Sequence, residues 1–436
     1  MLALTCVLGS LGACAAIFVF RTQLNEALEY AKYMAHLISW KLKGEHFYKT
    51  RYDTRGLGSV RGSRCPAFRA FGANTFVCLK DIKPRMHGFD TAIKRGNVKR
   101  YNSLGPLRLA AEVQVDGCFA LGFDPTSHEV VRKFFDDTLW GAAKKWDEAT
   151  VRQAAKQFLQ NRSTLRLPLE ALEFTVGFLA THWLGMPAEF DASRFVGSYQ
   201  KDRLLLSAMP NWFLKLPIHC GKVRKVCAAN KRFLDMISRG IGQKYPNQVK
   251  EKDRRLIATG CLDSLAFAGG FSVGEIAAKV LAMLWNQHGA RGQARPSLTE
   301  KNVDTWIFET LRLFPAVSEI AYERLRPFGG DGDGSECLGR EICAIGPVLQ
   351  DPQYWGNDAA EFRLRDPSAY LTDAFCPFAE CAPNRMCPGK DLAIALIRAF
   401  VLEIDLHPWH METPTEARFY GYSVADFTIA LDRPLE

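Results

Sequence analysis

The amino-acid sequence predicts a mainly α-helical fold with a minor β-sheet region. From about residue 105 onward, apolar residues recur at the spacing that places them on one face of a helix. Prolines separate most of these segments. The sheet is expected from residues 50–100, which are rich in Arg, Gly and Phe, and from residues 316–345. The predicted helices are residues 127–141, 148–160, 168–183, 221–240, 254–285, 299–313 and 388–406.

The composition is that of a globular protein. The chain has 436 residues, of which 47% are apolar and 24% charged, so it can bury a sizeable core. The formal charge of +9 is spread along the chain and forms no basic stripe with interleaved aromatics. This pattern argues against nucleic acid and suits an anionic membrane surface or an acidic redox partner. Thirteen cysteines without regular spacing favour a reducing compartment over a secreted disulfide framework.

Residues 2–20 form an uncharged, apolar or small-residue segment that ends at Arg21. Its nineteen residues are just long enough to cross a bilayer. A cleaved signal peptide is the alternative, because Ala13-Cys14-Ala15 resembles a cleavage site. The segment lacks a basic region before it, and the cysteine count disfavours secretion, so a membrane anchor is the preferred interpretation.

Residues 375–403 carry the clearest chemical signal, because a loop with three cysteines runs there into an apolar helix. Cys387 is followed by Pro388 and Gly389 and then by the helical repeat. A thiolate just before a helix N-terminus is stabilised as an anion. Gly389 lets the backbone approach something large and flat without a Cβ in the way. These features suit a cysteine that ligates a metal, which leads to the hypothesis of a haem-thiolate centre.

Two helices carry further signals. Glu309 and Arg312 lie three residues apart on one helical face. A pair at this spacing is usually an exposed ion pair, but apolar residues surround it here.

Residues 254–285 form a long apolar stretch interrupted by charges, which favours a central helix over a second membrane span. Gly269 and Gly270 in its middle cost about 1 kcal/mol each in helix propensity. Close helix packing and a cofactor lying against the glycines are the two explanations.

Taken together and in this order, these segments resemble the cytochrome P450 enzymes over about residues 120–410. The matching positions are His128-x-x-x-Arg132, Ala268-Gly269, Glu309-x-x-Arg312 and Arg385-x-Cys387-x-Gly389. The frame also selects among the cysteines, because neither Cys376 nor Cys381 has an arginine two residues before it and a glycine two residues after it.

The resemblance implies that Cys387 is the axial thiolate ligand of haem b and pushes electron density onto the iron to favour O–O bond cleavage. Glu309 and Arg312 would be structural and would tie their helix to the segment before the cysteine loop, with Arg363 or Arg365 as a third partner. Charge-assisted hydrogen bonds to the haem propionates would come from Arg385, His128, Arg132 and Arg324.

Two positions of the central helix depart from the usual monooxygenase pattern. Family monooxygenases carry an acid and then a threonine where this chain has Phe271 and Ser272. Phe271 cannot relay protons, although Ser272 can donate a hydrogen bond. With Gly269 and Gly270, these residues are the candidate catalytic positions. Gly269-Gly270-Phe271 and Pro383 of the loop resemble the allene oxide synthase and hydroperoxide lyase subgroup, which rearranges fatty-acid hydroperoxides without external electrons.

The resulting prediction is a membrane-anchored P450 monooxygenase, with residues 1–20 as the anchor and residues 21–436 as the haem-thiolate catalytic domain. It would act on a lipophilic small molecule, a secondary metabolite or lipid, with electrons from an NADPH-dependent reductase. The anchor places it in a membrane, in the endoplasmic reticulum facing the cytosol. Two alternatives stay open: a hydroperoxide isomerase, lyase or dehydratase that needs no reductase, and a non-catalytic haem-binding protein. The substrate is expected near residues 200–215, Phe271, Ala316 and Val317.

Overall fold

A computed structural model gives the fold of the chain. It describes residues 73–76, 79, 82–83, 98–99, 125–140, 148–187, 189–203, 220–317, 319–324, 339–380, 386–420 and 422–432. The predicted membrane anchor at residues 1–20 lies outside the described residues, as do Arg385 and Pro383 of the cysteine loop.

Helices make up most of the described chain. They are α1 (Pro125–Phe135), α2 (Glu148–Leu159), α3 (Leu169–Phe178), α4 (Ala192–Arg194), α5 (Cys220–Lys244), α6 (Glu251–Asp263), α7 (Gly270–Gln287), α8 (Val303–Leu313), α9 (Ile345–Val348), α10 (Pro352–Trp355) and α11 (Lys390–Asp405). Several continue as π-helices, namely α1 through Asp136–Trp140, α3 through Leu179–Trp183, α4 through Phe195–Gln200 and α6 through Ser264–Ala268. Short 3₁₀ turns occupy Gly289–Arg291 and Pro367–Leu371. Each predicted helix is confirmed with ends that differ by a few residues, whereas the short helices α4, α9 and α10 were not predicted.

The strands form two sheets and a short ribbon. The strands are β1 (Ala73–Phe76), β2 (Val98–Lys99), β3 (Thr164–Leu167), β4 (Glu319–Arg324), β5 (Gly339–Ala344), β6 (Trp409–Thr413), β7 (Phe419–Tyr420), β8 (Ser423–Val424) and β9 (Phe427–Leu431). One sheet has the order β1–β5–β4–β2, with β1 parallel to β5 and the other pairs antiparallel. It confirms the strands predicted in residues 50–100 and 316–345. The antiparallel sheet β3–β9–β6 and the ribbon β7–β8 come from regions where no strand was predicted.

Helix α7 lies in the middle of the core. Every residue from Val273 to Leu284 is buried, and the helix packs against α3, α8 and α11. The helical run Glu251–Arg291 is long and apolar enough to cross a membrane. However, 56% of its most apolar 18-residue stretch is buried within the protein. A helix that is apolar all round is also what the core of a large protein requires. We therefore interpret this run as the central helix of the fold.

Candidate functional site

Cys387 lies in a loop that leads directly into α11, three residues before the helix begins at Lys390. Its backbone N–H donates to the carbonyl of Phe378 at 2.9 Å and so closes the loop. The backbone N–H of Gly389 donates to the sulfur. The loop and the helix start together aim a backbone donor at the thiol, as the sequence predicts.

Opposing influences act on the pKa of Cys387. Burial raises it and is the largest effect, whereas the Gly389 N–H and the nearby Arg132 and Lys390 cations lower it. Glu380 raises it further. The net direction is upward, so the helix start and the cations do not by themselves hold a thiolate. A bound metal ion supplies the positive charge that deprotonates a coordinating thiol.

A side chain at Gly389 would not collide with any described residue. A Cβ at this position would meet Leu139 Cδ1 at 3.9 Å and Cys387 Sγ at 4.0 Å, which are ordinary contacts. Its φ of −96° is accessible to any residue. Neither backbone conformation nor a described neighbour accounts for the glycine, whereas a flat group lying against the loop does. The residues present thus fit a haem held by Cys387.

Helix α1 brings Arg132 against the cysteine loop. Its Nη1 donates to the carbonyl of Met386 at 2.8 Å, and its Nε donates to Asp136 Oδ1 at 2.8 Å. His128, one turn earlier on α1, is half-buried. Arg324 ends strand β4 opposite Gly339 of β5. Of the four basic residues predicted to contact propionates, the structure places Arg132 at the loop, and the propionate contacts themselves stay predictions.

Glu309 and Arg312 form a fully buried ion pair on α8. Arg312 donates to both carboxylate oxygens, from Nη2 to Oε1 at 2.6 Å and from Nε to Oε2 at 2.8 Å. The guanidinium also donates to the carbonyls of Leu349 at 3.1 Å, Glu361 at 3.0 Å and Ala359. A buried pair stabilises a fold only when further bonds offset the lost hydration. Here those bonds come from the segment that precedes the cysteine loop.

Glu309 is bound to the same segment. The Tyr370 hydroxyl donates to Oε2 at 2.9 Å, and the backbone N–H of Arg363 donates to Oε1 at 3.1 Å. The guanidinium of Arg365 stands 3.6 Å from Oε1. Both candidate third partners are thus present, Arg363 through its backbone and Arg365 through its charge. Burial and the Glu309 carboxylate raise the pKa of Tyr370, so the phenol stays a donor.

Tyr370 and Glu380 are site residues that the sequence analysis missed. Glu380 accepts from the Phe378 N–H at 2.9 Å and from Lys390 Nζ at 2.8 Å, so it ties the loop to the first residue of α11. Tyr370 contacts Glu309, which lies 61 positions away in the chain, and Glu380 contacts Lys390, which lies ten positions away. No local spacing rule identifies them, since helix and strand periodicities reach only neighbouring turns.

The two glycines of the central helix are explained by close packing. A Cβ on Gly270 would collide with the carbonyl of Leu265 and would lie 2.6 Å from Val176 Cγ2 of α3. A Cβ on Gly269 would lie 2.9 Å from Leu179 Cδ1. The Cα atoms of Gly269 and Gly270 therefore lie against α3 with its π-helical continuation and against the π-helix Ser264–Ala268. This close contact favours the packing explanation over a cofactor lying on the glycines.

Phe271 and Ser272 follow directly after these glycines. The Phe271 ring stacks on Phe267 with a centroid distance of 6.2 Å and an interplanar angle of 4°. The Ser272 hydroxyl donates to the Phe267 carbonyl at 3.4 Å, a long bond. Although the helix is otherwise buried, Ala268 is exposed and Phe267, Phe271 and Ser272 are half-buried. This stretch of the central helix therefore borders open space, and its catalytic role stays a prediction.

No family model and no curated protein sequence matches the chain. Solved structures do match it. CalO2 has a TM-score of 0.59 at 16% identity, covering 89% of this chain and 96% of its own. P450BioI, in complex with hexadec-9Z-enoic acid ligated acyl carrier protein, has a TM-score of 0.61 at 12% identity, covering 88% of this chain and 98% of its own. The chain has the cytochrome P450 fold, as the sequence predicts.

Proposed function

We propose that the protein is a haem-thiolate cytochrome P450 oxidoreductase in which Cys387 is the axial ligand of haem b. The observation that carries the proposal is the cysteine loop itself. Within this fold, the Gly389 N–H points at the sulfur, and Arg132 anchors the loop through Met386. When bound, a haem with a thiolate ligand supplies oxidative chemistry that favours O–O bond cleavage.

The residues around Cys387 would divide the work of holding the cofactor. Gly389 leaves room for the flat macrocycle, and the Glu309–Arg312 pair fixes the segment before the loop. Lys390 and Glu380 hold the loop against α11. The propionates would be bound by Arg132, His128, Arg324 and Arg385, since charge-assisted hydrogen bonds are the strong ones.

The reaction we propose first is reductase-dependent monooxygenation of a lipophilic small molecule by a membrane-anchored protein. The anchor is residues 1–20, the catalytic domain is residues 21–436, and the location is the endoplasmic reticulum facing the cytosol. Ala316 is half-buried and Val317 is 40% exposed, so apolar surface is available for such a substrate. The formal charge of +9 suits an acidic redox partner.

A specific observation favours hydroperoxide rearrangement as the second candidate. Phe271 offers no proton, and the Ser272 hydroxyl is directed to the Phe267 carbonyl of its own helix. A substrate that already contains the O–O bond needs neither external electrons nor a proton relay. A haem-binding protein without turnover is the third candidate, and the retained thiol and cations make it the weakest.

Reductase dependence separates the first two candidates. The full chain is incubated with a panel of lipid hydroperoxides and, separately, with lipophilic compounds plus NADPH and a P450 reductase. Product that requires both NADPH and reductase supports the monooxygenase. Turnover of a hydroperoxide with neither of them overturns it and supports rearrangement. Bound haem without product in either arm supports the non-catalytic protein.

A further inference from the structure

Helix α5 carries most of the net charge of the protein. It runs from Cys220 to Lys244 and has 25 residues. Its sequence contains seven lysines and arginines and one aspartate. The resulting net charge of +6 compares with +9 for the whole chain of 436 residues. One helix is therefore the main source of positive potential, and such a potential attracts anionic partners.

The positive charge of α5 lies on one outer face. The inner face follows the three- and four-residue spacing of a helix and consists of the buried residues Val226, Asn230, Phe233, Leu234, Ile237 and Ile241. The outer face, called the basic face below, consists of the exposed residues Arg224, Lys225, Lys231, Arg232 and Arg239. At 3.6 residues per turn these five cations occupy about 120° of the helix circumference and extend over about 22 Å of its length.

The carboxylates next to α5 are paired with cations outside the basic face. Asp235, the one acidic residue of the helix, accepts from Arg255 Nη1 of α6 at 2.8 Å. Asp202 lies 3.1 Å from Lys222 Nζ at the start of the helix. Within the part of the chain that the structure describes, neither carboxylate pairs with a cation of the basic face. Its charges are therefore available to a partner.

The composition of the basic face distinguishes between a protein and a lipid partner. A specific protein–protein interface has an apolar core in which most of its binding energy is concentrated. Among the described residues, the large exposed apolar side chains are Val317, Tyr354, Leu364, Leu371 and Leu406, and none of them belongs to α5. An anionic bilayer surface needs no apolar contact, since each nearby Lys or Arg strengthens binding about fivefold by charge alone. The face therefore fits lipid headgroups.

We propose that the basic face of α5 is a docking surface for an anionic phospholipid bilayer. Helix α5 lies along the headgroups, and the catalytic domain is thereby held in one orientation on the membrane. This contact goes beyond the proposed function, because it requires neither the haem nor the anchor at residues 1–20. It depends on charge, so salt weakens it as the screening length falls from about 10 Å at 0.1 M to about 3 Å at 1 M.

Co-sedimentation of the full-length haem-loaded chain with two kinds of vesicle tests the docking surface. One kind is phosphatidylcholine alone, and the other is an equimolar mixture of phosphatidylcholine and phosphatidylserine. Residues 2–20 carry no charged side chain, so a membrane anchor there contributes equally to both and cancels in the ratio of partition coefficients. This anionic-to-neutral ratio is expected to be at least about tenfold at low salt and to fall toward one at high salt. Equal partitioning at low salt overturns the proposal.

Two double variants locate the effect on α5. Lys225→Gln with Lys231→Gln removes two cations of the basic face and is expected to reduce the anionic-to-neutral ratio at least about fivefold. Lys156→Gln with Lys301→Gln is the matched control, because it removes two exposed lysines on α2 and just before α8. The control is expected to keep most of the ratio. Equal reductions in the two double variants contradict the assignment to α5.

Two further measurements complete the test. If Lys225→Gln with Lys231→Gln fails to fold, Arg224→Gln with Arg239→Gln decides by the same criterion. Calorimetric titration with polyglutamate probes an acidic protein partner. Polyglutamate binding that the lysine variant loses, together with equal partitioning into both vesicles, overturns the lipid partner and assigns the face to an acidic protein.

The outcome is separable from that of the proposed function. Sedimentation is measured whether or not the iron carries a thiolate. A chain that lacks thiolate-ligated haem but prefers anionic vesicles refutes the proposed function alone. A chain with thiolate-ligated haem and no preference for anionic vesicles refutes the docking surface alone.

Discussion

Removing the Glu309 carboxylate is expected to be among the most destabilising single changes in the protein. Glu309→Ala deprives a fully buried guanidinium of both its carboxylate contacts. Breaking a buried ion pair in this way costs about 3–5 kcal/mol. The Tyr370 hydroxyl and the Arg363 N–H lose their acceptor at the same time. Against a total stability of about 5–15 kcal/mol, this loss removes a large part of the folding free energy.

Urea unfolding followed by circular dichroism measures the free energy of unfolding of Glu309→Ala, which is compared with that of one milder variant and one control. Tyr370→Phe removes one hydrogen bond to the charged acceptor and is expected to cost about 1.5–3 kcal/mol. Arg363→Ala is the control, because its guanidinium is 72% exposed and its contact with Glu309 uses only the backbone. We expect no resolved loss there. Equal losses in Glu309→Ala and Arg363→Ala would refute the reasoning.

Two further changes test the central helix. Gly270→Ala adds a Cβ 2.6 Å from Val176 Cγ2 and is expected to lower the free energy of unfolding by about 1–3 kcal/mol in urea. Gly221→Ala is the control, because its Cβ would have no atom within 4 Å. This control variant should unfold with an unchanged or slightly higher free energy. A Gly270→Ala protein as stable as Gly221→Ala would contradict the packing explanation. Burial lowers the pKa of Lys279 from 10.5. At pH values between the lowered pKa and 10.5, the unfolded chain therefore binds more protons than the folded chain. Stability rises with pH across this range. Lys279 Nζ lies 3.4 Å from Glu275 Oε1, and both side chains are buried. Replacing both members of this pair, in Glu275→Leu with Lys279→Met, should flatten the rise in pH-dependent unfolding. The double variant should be as stable as the unmodified protein or about 1–4 kcal/mol more stable at neutral pH. A preserved slope would assign the rise to other groups.

The helices were predictable because their signal is local. The apolar spacing of residues 148–160 and 388–406 is visible without tertiary information, and the structure has α2 and α11 there. α4 (Ala192–Arg194) was missed because three residues and a π-helical continuation are too short for a periodic pattern. The π-helix Ser264–Ala268 was also missed, since it depends on the Gly269 N–H donating five residues back to Ser264 at 2.6 Å.

The candidate site was predictable as a set of motifs but not as a set of contacts. The frame around Cys387 indicates the proposed ligand, yet only the structure shows that burial outweighs the helix start in its effect on the pKa of the thiol. Likewise, Glu309 and Arg312 are visible as a spacing of three residues. Their partner Tyr370 lies 61 positions from Glu309, and only the fold brings the two together.

The central claim is that Cys387 ligates haem iron, and the absorption spectrum of the reduced carbon monoxide complex tests it most directly. The full chain and its Cys376→Ala variant, which removes a buried cysteine of the same loop, are expected to show the band diagnostic of a thiolate ligand. Cys387→Ala is expected to lose that band. A thiolate band that persists in Cys387→Ala, or that is absent from the unmodified haem-loaded chain, contradicts the account.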